Sequence, residues 1–278
     1  LACIPLGFAQ GFWPVLLFMC LQIAVYAPVM PLGESLSLAT MRQRGLDYGR
    51  LRLWGSVSFI AASLGAGWLI ASRPESLILW LIAACIGATA MATQFLPAPA
   101  MPPSLPTSRP VRRLLTQPLF LLMVFAAALN MASHSILHGF GTLHWRAQGH
   151  GDDAIGLLWA LGVVGEIALF AVAGGLTRRV GPIVMLVIGA VAGLARWLGL
   201  AYAEAYWALA LLQLLHALTF GASHLGVTYL LQNAIPARVA GSAQALYSSL
   251  SMGVIVGLTT LFSGHMYAAW GSGAFLAM

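Results

Sequence analysis

Glu166 and Arg196 each stand in the middle of a long apolar run, and ionisable groups so placed are the clearest pointers to chemistry in this sequence. Each costs about 2.5–3.5 kcal/mol at the centre of a bilayer even on the mildest scale. A carboxyl in a dry site can take up and release a proton as that site opens to either side, which makes Glu166 the first candidate for proton coupling. Arg196 is of opposite charge and could neutralise Glu166. The pair then reads either as a structural ion pair or, if Arg196 is not fully engaged, as a cation able to attract a substrate carboxylate.

Histidines and their neighbours form a second set. Asn130, His134 and His138 recur every four residues and so share one helix face. Gln213, His216, Phe220 and His224 make a second stripe, and Gln244, Tyr247, Ser248 and Ser251 a third. Stripes of this kind either hydrogen-bond neighbouring helices or line a cavity for a solute. Imidazole titrates near neutral pH, so His134 and His216 join Glu166 as proton-coupling candidates. Asn130, His224, Phe220, Gln244 and Tyr247 join Arg196 as substrate-binding candidates. His134 and His138 also have the i, i+4 spacing of a metal pair, which would suit a membrane-embedded metal enzyme. Such an enzyme needs several histidine clusters, so no metal and no cofactor are expected. Nucleophile elbows, phosphate-binding glycine loops and Cys-x-x-Cys pairs are absent from the sequence.

Composition says what must position these groups. Apolar residues make up 60% and charged residues 7% of the 278, far from the quarter or so of charged residues that a water-facing surface needs. The mean hydropathy of +0.88 agrees. A bilayer core of about 30 Å takes roughly 20 apolar residues per helix. Eight segments meet this, near 11–38, 49–71, 76–96, 117–142, 153–176, 181–201, 205–231 and 240–266, with apolar stubs at 1–9 and 271–278. The expected fold is therefore all-α, a polytopic membrane helix bundle of about eight complete spans and two partial ones. Pro28 and Pro31 interrupt the first span just before Glu34.

All thirteen basic residues are arginine, and alternate loops hold ten of them against two, with Arg196 inside a span. The rich set, from Arg42 to Arg238, is placed in the cytoplasm by the positive-inside rule. The net charge of +6 is thus a topology signal and not a nucleic-acid footprint. Residues 97–113 contain six prolines and read as a cytoplasmic linker between a helical half at 1–96 and another at 114–278. Glu34, Asp47, Arg50 and Arg52 gather at the cytoplasmic end of the first spans, where Glu34 can pair with Arg50 or Arg52. They are candidates for a gate or for simple charge neutralisation at a loop. Cys3, Cys20 and Cys85 are isolated and have no metal or disulfide spacing. No leader peptide is visible; Leu1 and the apolar run closing at Met278 read as cut ends.

The stretch Leu46-Asp47-Tyr48-Gly49-Arg50-Leu51-Arg52-Leu53-Trp54-Gly55-Ser56 resembles the major facilitator superfamily, in its 3-phenylpropionate permease and nucleoside:proton symporter branch. Similar blocks are Pro28-Val29-Met30-Pro31-Leu32-Gly33-Glu34, Leu161-Gly162-Val163-Val164-Gly165-Glu166, Ala195-Arg196-Trp197 and Leu215-His216. The resemblance implies a twelve-helix transporter, of which this chain would run from the end of helix 3 to the start of helix 12. It implies a proton-coupled symporter of a small organic solute such as an aromatic carboxylate, with a nucleoside or sugar as the alternative. Such a protein is expected in the inner membrane, as a monomer with no nucleic-acid partner. Gly174-x-x-x-Arg178-Arg179-x-Gly181 is similar to the superfamily's loop motif but has arginine in place of the usual acid.

Overall fold

The computed structural model describes residues 4–46, 48–70, 73–74, 76–96, 112, 114–236 and 239–278. Asp47 and most of the linker at 97–113 lie outside the described residues. Among the described residues twelve α-helices account for the apolar runs: α1 (Phe12–Tyr26), α2 (Val29–Arg44), α3 (Tyr48–Ile70), α4 (Ser76–Thr93), α5 (Pro118–Ala132), α6 (Ser135–Ala147), α7 (Asp152–Val180), α8 (Pro182–Tyr202), α9 (Tyr206–Leu214), α10 (Ser223–Ala234), α11 (Ala240–Tyr247) and α12 (Val256–Trp270). No β-strand occurs among the described residues. Among the described residues six spans are long and apolar enough to cross a membrane; α7 and α8 each make one alone, and the other four join consecutive helices across a local break.

Each break has a local cause. Between α1 and α2 it falls at Pro28, which begins the new helix, with Pro31 accepted in its first turn where the missing N–H costs nothing. Between α5 and α6, Ser133 Oγ and His134 Nδ1 both bond back to the carbonyl of Asn130, at 2.7 and 2.9 Å. Side chains that compete for helix carbonyls in this way bend the helix, and they aim His134 inward. Two π-helical stretches, Ala217–Ala222 and Ser248–Ile255, join α9 to α10 and α11 to α12. Widened turns of this type are frequent at functional sites. The stub after α12 is a 3₁₀ turn, Gly271–Ala277, whose Phe275 is fully buried against Trp197 and Leu200.

Packing is uneven along the chain. α1 has no buried residue, and Trp13, Leu17 and Ile23 present an apolar surface suited to lipid. From Pro118 to Ala234 the helices bury much more of their surface: α8 lies against α10 and the first π turn, and α7 and α11 also receive α3 and α2. Apolar clusters close the bundle at both ends. One, at the arginine-poor end, contains Ile136, Trp145, Leu158, Trp197 and Leu209. Two others, at the arginine-rich end, contain Met41, Phe170 and Met185, and Phe120, Val227 and Tyr247. Between them lies a layer of buried polar side chains that includes His134, Glu166, Arg196, Gln213 and Thr219.

Candidate functional site

Glu166 occupies the middle of α7, and small residues beside it set the distance to its neighbours. A Cβ on Gly162 would lie 3.4 Å from His216 Cβ, and one on Gly165 would lie 3.2 Å from the carbonyl of Leu214. Glycine at both positions therefore lets α7 approach the end of α9 closely. Glu166 Oε1 accepts a hydrogen bond from Ser56 Oγ at 2.9 Å and faces Arg52 Nη2 at 3.5 Å. Its Oε2 faces His216 Nε2 at 3.6 Å. Arg52 reaches this carboxylate by folding along its own helix over the ring of Phe170, 5.5 Å from the centroid. Gly55 leaves the room: a Cβ there would sit 2.7 Å from Arg52 Nη1.

The ion pair anticipated between Glu166 and Arg196 is not formed. Residue 166 points from α7 toward α3, where Arg52 meets it, whereas Arg196 points from α8 into the π turn. Arg196 is 1% exposed, and among the described residues no carboxylate stands within ion-pair distance of it. Its Nη2 donates to Gln213 Oε1 at 2.6 Å, and its Nη1 donates to Thr219 Oγ1 at 2.9 Å and to His216 Nδ1 at 3.2 Å. The guanidinium lies over Trp197, 5.0 Å from the ring centroid. Its Nε is buried with no hydrogen-bond partner, and so is Oδ1 of half-buried Asn130.

These contacts fix the histidine tautomers, because arginine only donates. His216 must accept at Nδ1, which places its hydrogen on Nε2, directed at Glu166. His134 Nδ1 donates to the Asn130 carbonyl, so its Nε2 accepts from the Thr219 hydroxyl at 3.1 Å. Both rings are neutral in this arrangement, and Arg196 carries the positive charge of the layer. His134 also stands edge-on to Trp197 and to His216, at 4.9 and 5.7 Å between centroids. With both ring nitrogens engaged, His134 has none to offer a metal. His138, one turn further along α6, is exposed and tilts against Trp159.

A third cluster lies nearer the arginine-rich end. The anticipated pairing of Glu34 with Arg50 or Arg52 gives way to another arrangement. Tyr48 donates a short hydrogen bond to Glu34 Oε1, and His224 Nε2 lies 2.7 Å from the Tyr48 hydroxyl and 3.6 Å from that same carboxylate oxygen. Arg50 sits two residues from Arg52, on another side of the helix, and is exposed. His216, Phe220 and His224 form a parallel stack through the π turn, with centroids 5.2 and 5.9 Å apart. Gln244 and Tyr247 are buried on α11, Tyr247 in the apolar cluster with Phe120 and Leu231, and do not join the groups around Arg196. A separate groove of about 590 Å³ among α1, α3 and α4 is lined by Tyr26, Leu69, Leu81 and Ile86 and shares no residue with these clusters.

Tyr48 and Ser56 are not among the site residues that the sequence points to, and Gln213, open there between stitching helices and lining a cavity, bonds Arg196 and the Leu158 carbonyl. A signal was available for the first two. Tyr48, Arg52 and Ser56 recur every four residues on one face of α3, and that face supplies three contacts to Glu34 and Glu166, beside those of His216 and His224. The most specific part of the Tyr48–Ser56 block is thus a carboxylate-binding helix face.

A bundle of membrane-length helices closed over buried ionisable groups defines a multi-pass membrane protein. The chain belongs to the MFS_1 like family, whose model matches residues 1–277. This agrees with the major facilitator resemblance of the Leu46–Ser56 block. Over 292 residues it is 32% identical to the "Probable 3-phenylpropionic acid transporter" of Escherichia coli (strain K12), covering 100% of this chain and 76% of that protein. It is 28% identical to the "Maltose permease" of Geobacillus stearothermophilus, over 90% of this chain and 64% of the permease. An uncharacterized transporter of Bacillus subtilis (strain 168) is 21% identical over 88% of this chain, which spans 61% of it. The family is one of transporters, not of enzymes.

Proposed function

We propose that this protein is a secondary transporter that couples inward proton flow to uptake of a small aromatic carboxylate across the inner membrane, acting as a monomer. The observation that carries this reading is Arg196, a buried guanidinium with no carboxylate partner among the described residues, its Nε without a hydrogen-bond acceptor there and an aromatic wall of Trp197 and His134 beside it. A buried charge left without a counter-ion is costly, and a carboxylate bound at Nε and Nη2 would neutralise it with two charge-assisted bonds. An aromatic ring on that carboxylate would lie against Trp197 and His134. The 3-phenylpropionic acid named for the Escherichia coli relative is a ligand of this kind.

Glu166 is the proton carrier in this scheme. Protonation of its carboxyl removes the charge that holds Arg52 and Ser56 on α3, which loosens the seam between α3 and α7. That seam joins the segments 1–96 and 114–278, the two halves that rock about the central layer in alternating access. His216 links the two sites directly, with one ring nitrogen on Arg196 and the other on Glu166, and His134 supports Arg196 through Thr219. Each charge moved inward gains about 2.3 kcal/mol per 100 mV. At the arginine-rich, cytoplasmic end Glu34 is held by Tyr48 of α3 and Arg52 by Glu166 of α7, and the gate is built from these contacts between elements.

A sugar or nucleoside is the second reading, favoured by the unpartnered Asn130 amide oxygen and by the maltose permease relative. Proteoliposomes holding the complete protein separate the two. Accumulation of labelled 3-phenylpropionate under an inward proton gradient, abolished by a protonophore and by Arg196→Gln, is the expected result. Accumulation of maltose or a nucleoside instead, insensitive to Arg196→Gln, overturns the carboxylate assignment.

A further inference from the structure

The cluster of Glu34, Tyr48 and His224 has the parts of a second proton site. Tyr48 has one hydroxyl hydrogen and gives it to Glu34, so its oxygen accepts from His224 Nε2–H. His224 is 8% exposed, and its other ring nitrogen, Nδ1, is buried with no hydrogen-bond partner. A ring held in the Nε2–H form by Tyr48, with a bare lone pair on Nδ1 and a carboxylate 3.6 Å from Nε2, is built to accept a proton at Nδ1.

We propose that His224 is a second proton-carrying site, passing protons to Glu34 through Tyr48, and that the Phe220 ring insulates it from the Glu166–His216 site. This deepens the proton-coupled reading above and rests on it. A proton arriving at Nδ1 makes the imidazolium. Nε2 then gives its hydrogen to the Tyr48 oxygen as Tyr48 gives its own to the Glu34 carboxylate. One proton enters at Nδ1, one leaves with Glu34, and the ring ends neutral. Among the described residues, the charged and titratable groups bearing on His224 and its partners are Glu34 from α2, Tyr48 and Arg52 from α3 and Tyr247 from α11. On the elements behind, Glu166 of α7 is engaged by Arg52 and His216, Arg196 of α8 by Gln213, Thr219 and His216, and α5 carries no titratable side chain.

Phe220 separates the two sites. Its ring lies parallel to both imidazoles, 5.2 Å from His216 and 5.9 Å from His224, and offers neither donor nor acceptor. A symporter needs such a break, since a continuous path would let protons cross without solute.

The test uses the complete protein in liposomes with a trapped pH indicator and the membrane potential clamped, with no solute present. Phe220→Ser should leak protons about tenfold faster than wild type, and Phe220→Leu, which restores an apolar plug, should not. Adding His224→Gln to Phe220→Ser should return the leak to within about twofold of wild type. A tight Phe220→Ser, an equal leak in Phe220→Leu, or a leak that ignores His224→Gln each overturns the proposal. Wild-type protein labelled with ¹⁵N-histidine gives a reading that no destabilised variant can spoil. The His224 ring, identified by difference from His224→Gln, should gain a hydrogen at Nδ1 when protons are supplied by acidification. A ring that keeps the Nε2–H form throughout overturns the proposal. Because these readings need no solute, failure of 3-phenylpropionate uptake would sink the substrate assignment while leaving the His224 result intact.

Discussion

Arg196 and Glu166 are hidden almost equally well, at 1% and 5% exposure, yet they are accommodated in opposite ways. Glu166 meets a cation, Arg52, together with a hydroxyl and an imidazole N–H, so its charge is answered within the protein. Arg196 meets an amide oxygen, a hydroxyl and a neutral imidazole, all dipoles, and keeps one N–H unbonded. Dipoles orient a guanidinium without cancelling it. A site that is complete at rest suits a group whose charge is to be switched; one that is incomplete suits a group whose partner arrives from outside.

The largest effect that can break this contrast is expected from Arg196→Met. Uptake of an aromatic carboxylate should fall by at least a hundredfold, while the thermal unfolding midpoint stays level or rises, because a well-packed apolar side chain replaces an uncancelled buried charge. A midpoint several degrees lower would show that Arg196 is structural. Arg196→Lys should rescue little, since a point charge cannot reproduce the planar fork.

Glu166→Gln comes next. The amide keeps the shape and loses the charge, so uphill accumulation should drop about tenfold or more while downhill solute exchange continues; unchanged accumulation removes Glu166 as the carrier. Gly55→Leu probes the same site from α3. Its side chain takes the space in which Arg52 folds back, and a several-fold loss of proton-driven uptake is expected, measured beside Gly55→Ala as the milder step. Ser56→Ala deletes one hydrogen bond to the carboxylate, worth about 1 kcal/mol, and should lower the unfolding midpoint by only a few degrees. The smallest effect sharpens the contrast by its absence. Arg146 and Asp152 form a 2.6 Å pair whose side chains are 56% and 75% exposed. Arg146→Ala should change stability by under about 1 kcal/mol and leave uptake as it was.

The sequence by itself determined the helices and part of the cast of the candidate site, Tyr48 and Ser56 being added by the structure. Continuous apolar runs of membrane length can satisfy their backbone groups in a bilayer only as helices. Pro28 was legible as a break because proline removes an N–H, and the arginine bias of alternate loops ordered the spans. Glu166, Arg196, His134 and His216 stood out because an ionisable group in an apolar run has few reasons to be there. The break at Ser133 and His134 was not legible, since it arises from two side chains sharing the Asn130 carbonyl. Partnership was decided only by the tertiary structure. Whether Glu166 meets Arg196 or Arg52 depends on how α7 and α8 are rotated about their axes, and that follows from which glycines let which helices close. Spacing along a chain says which side chains share a face; only packing says what that face touches.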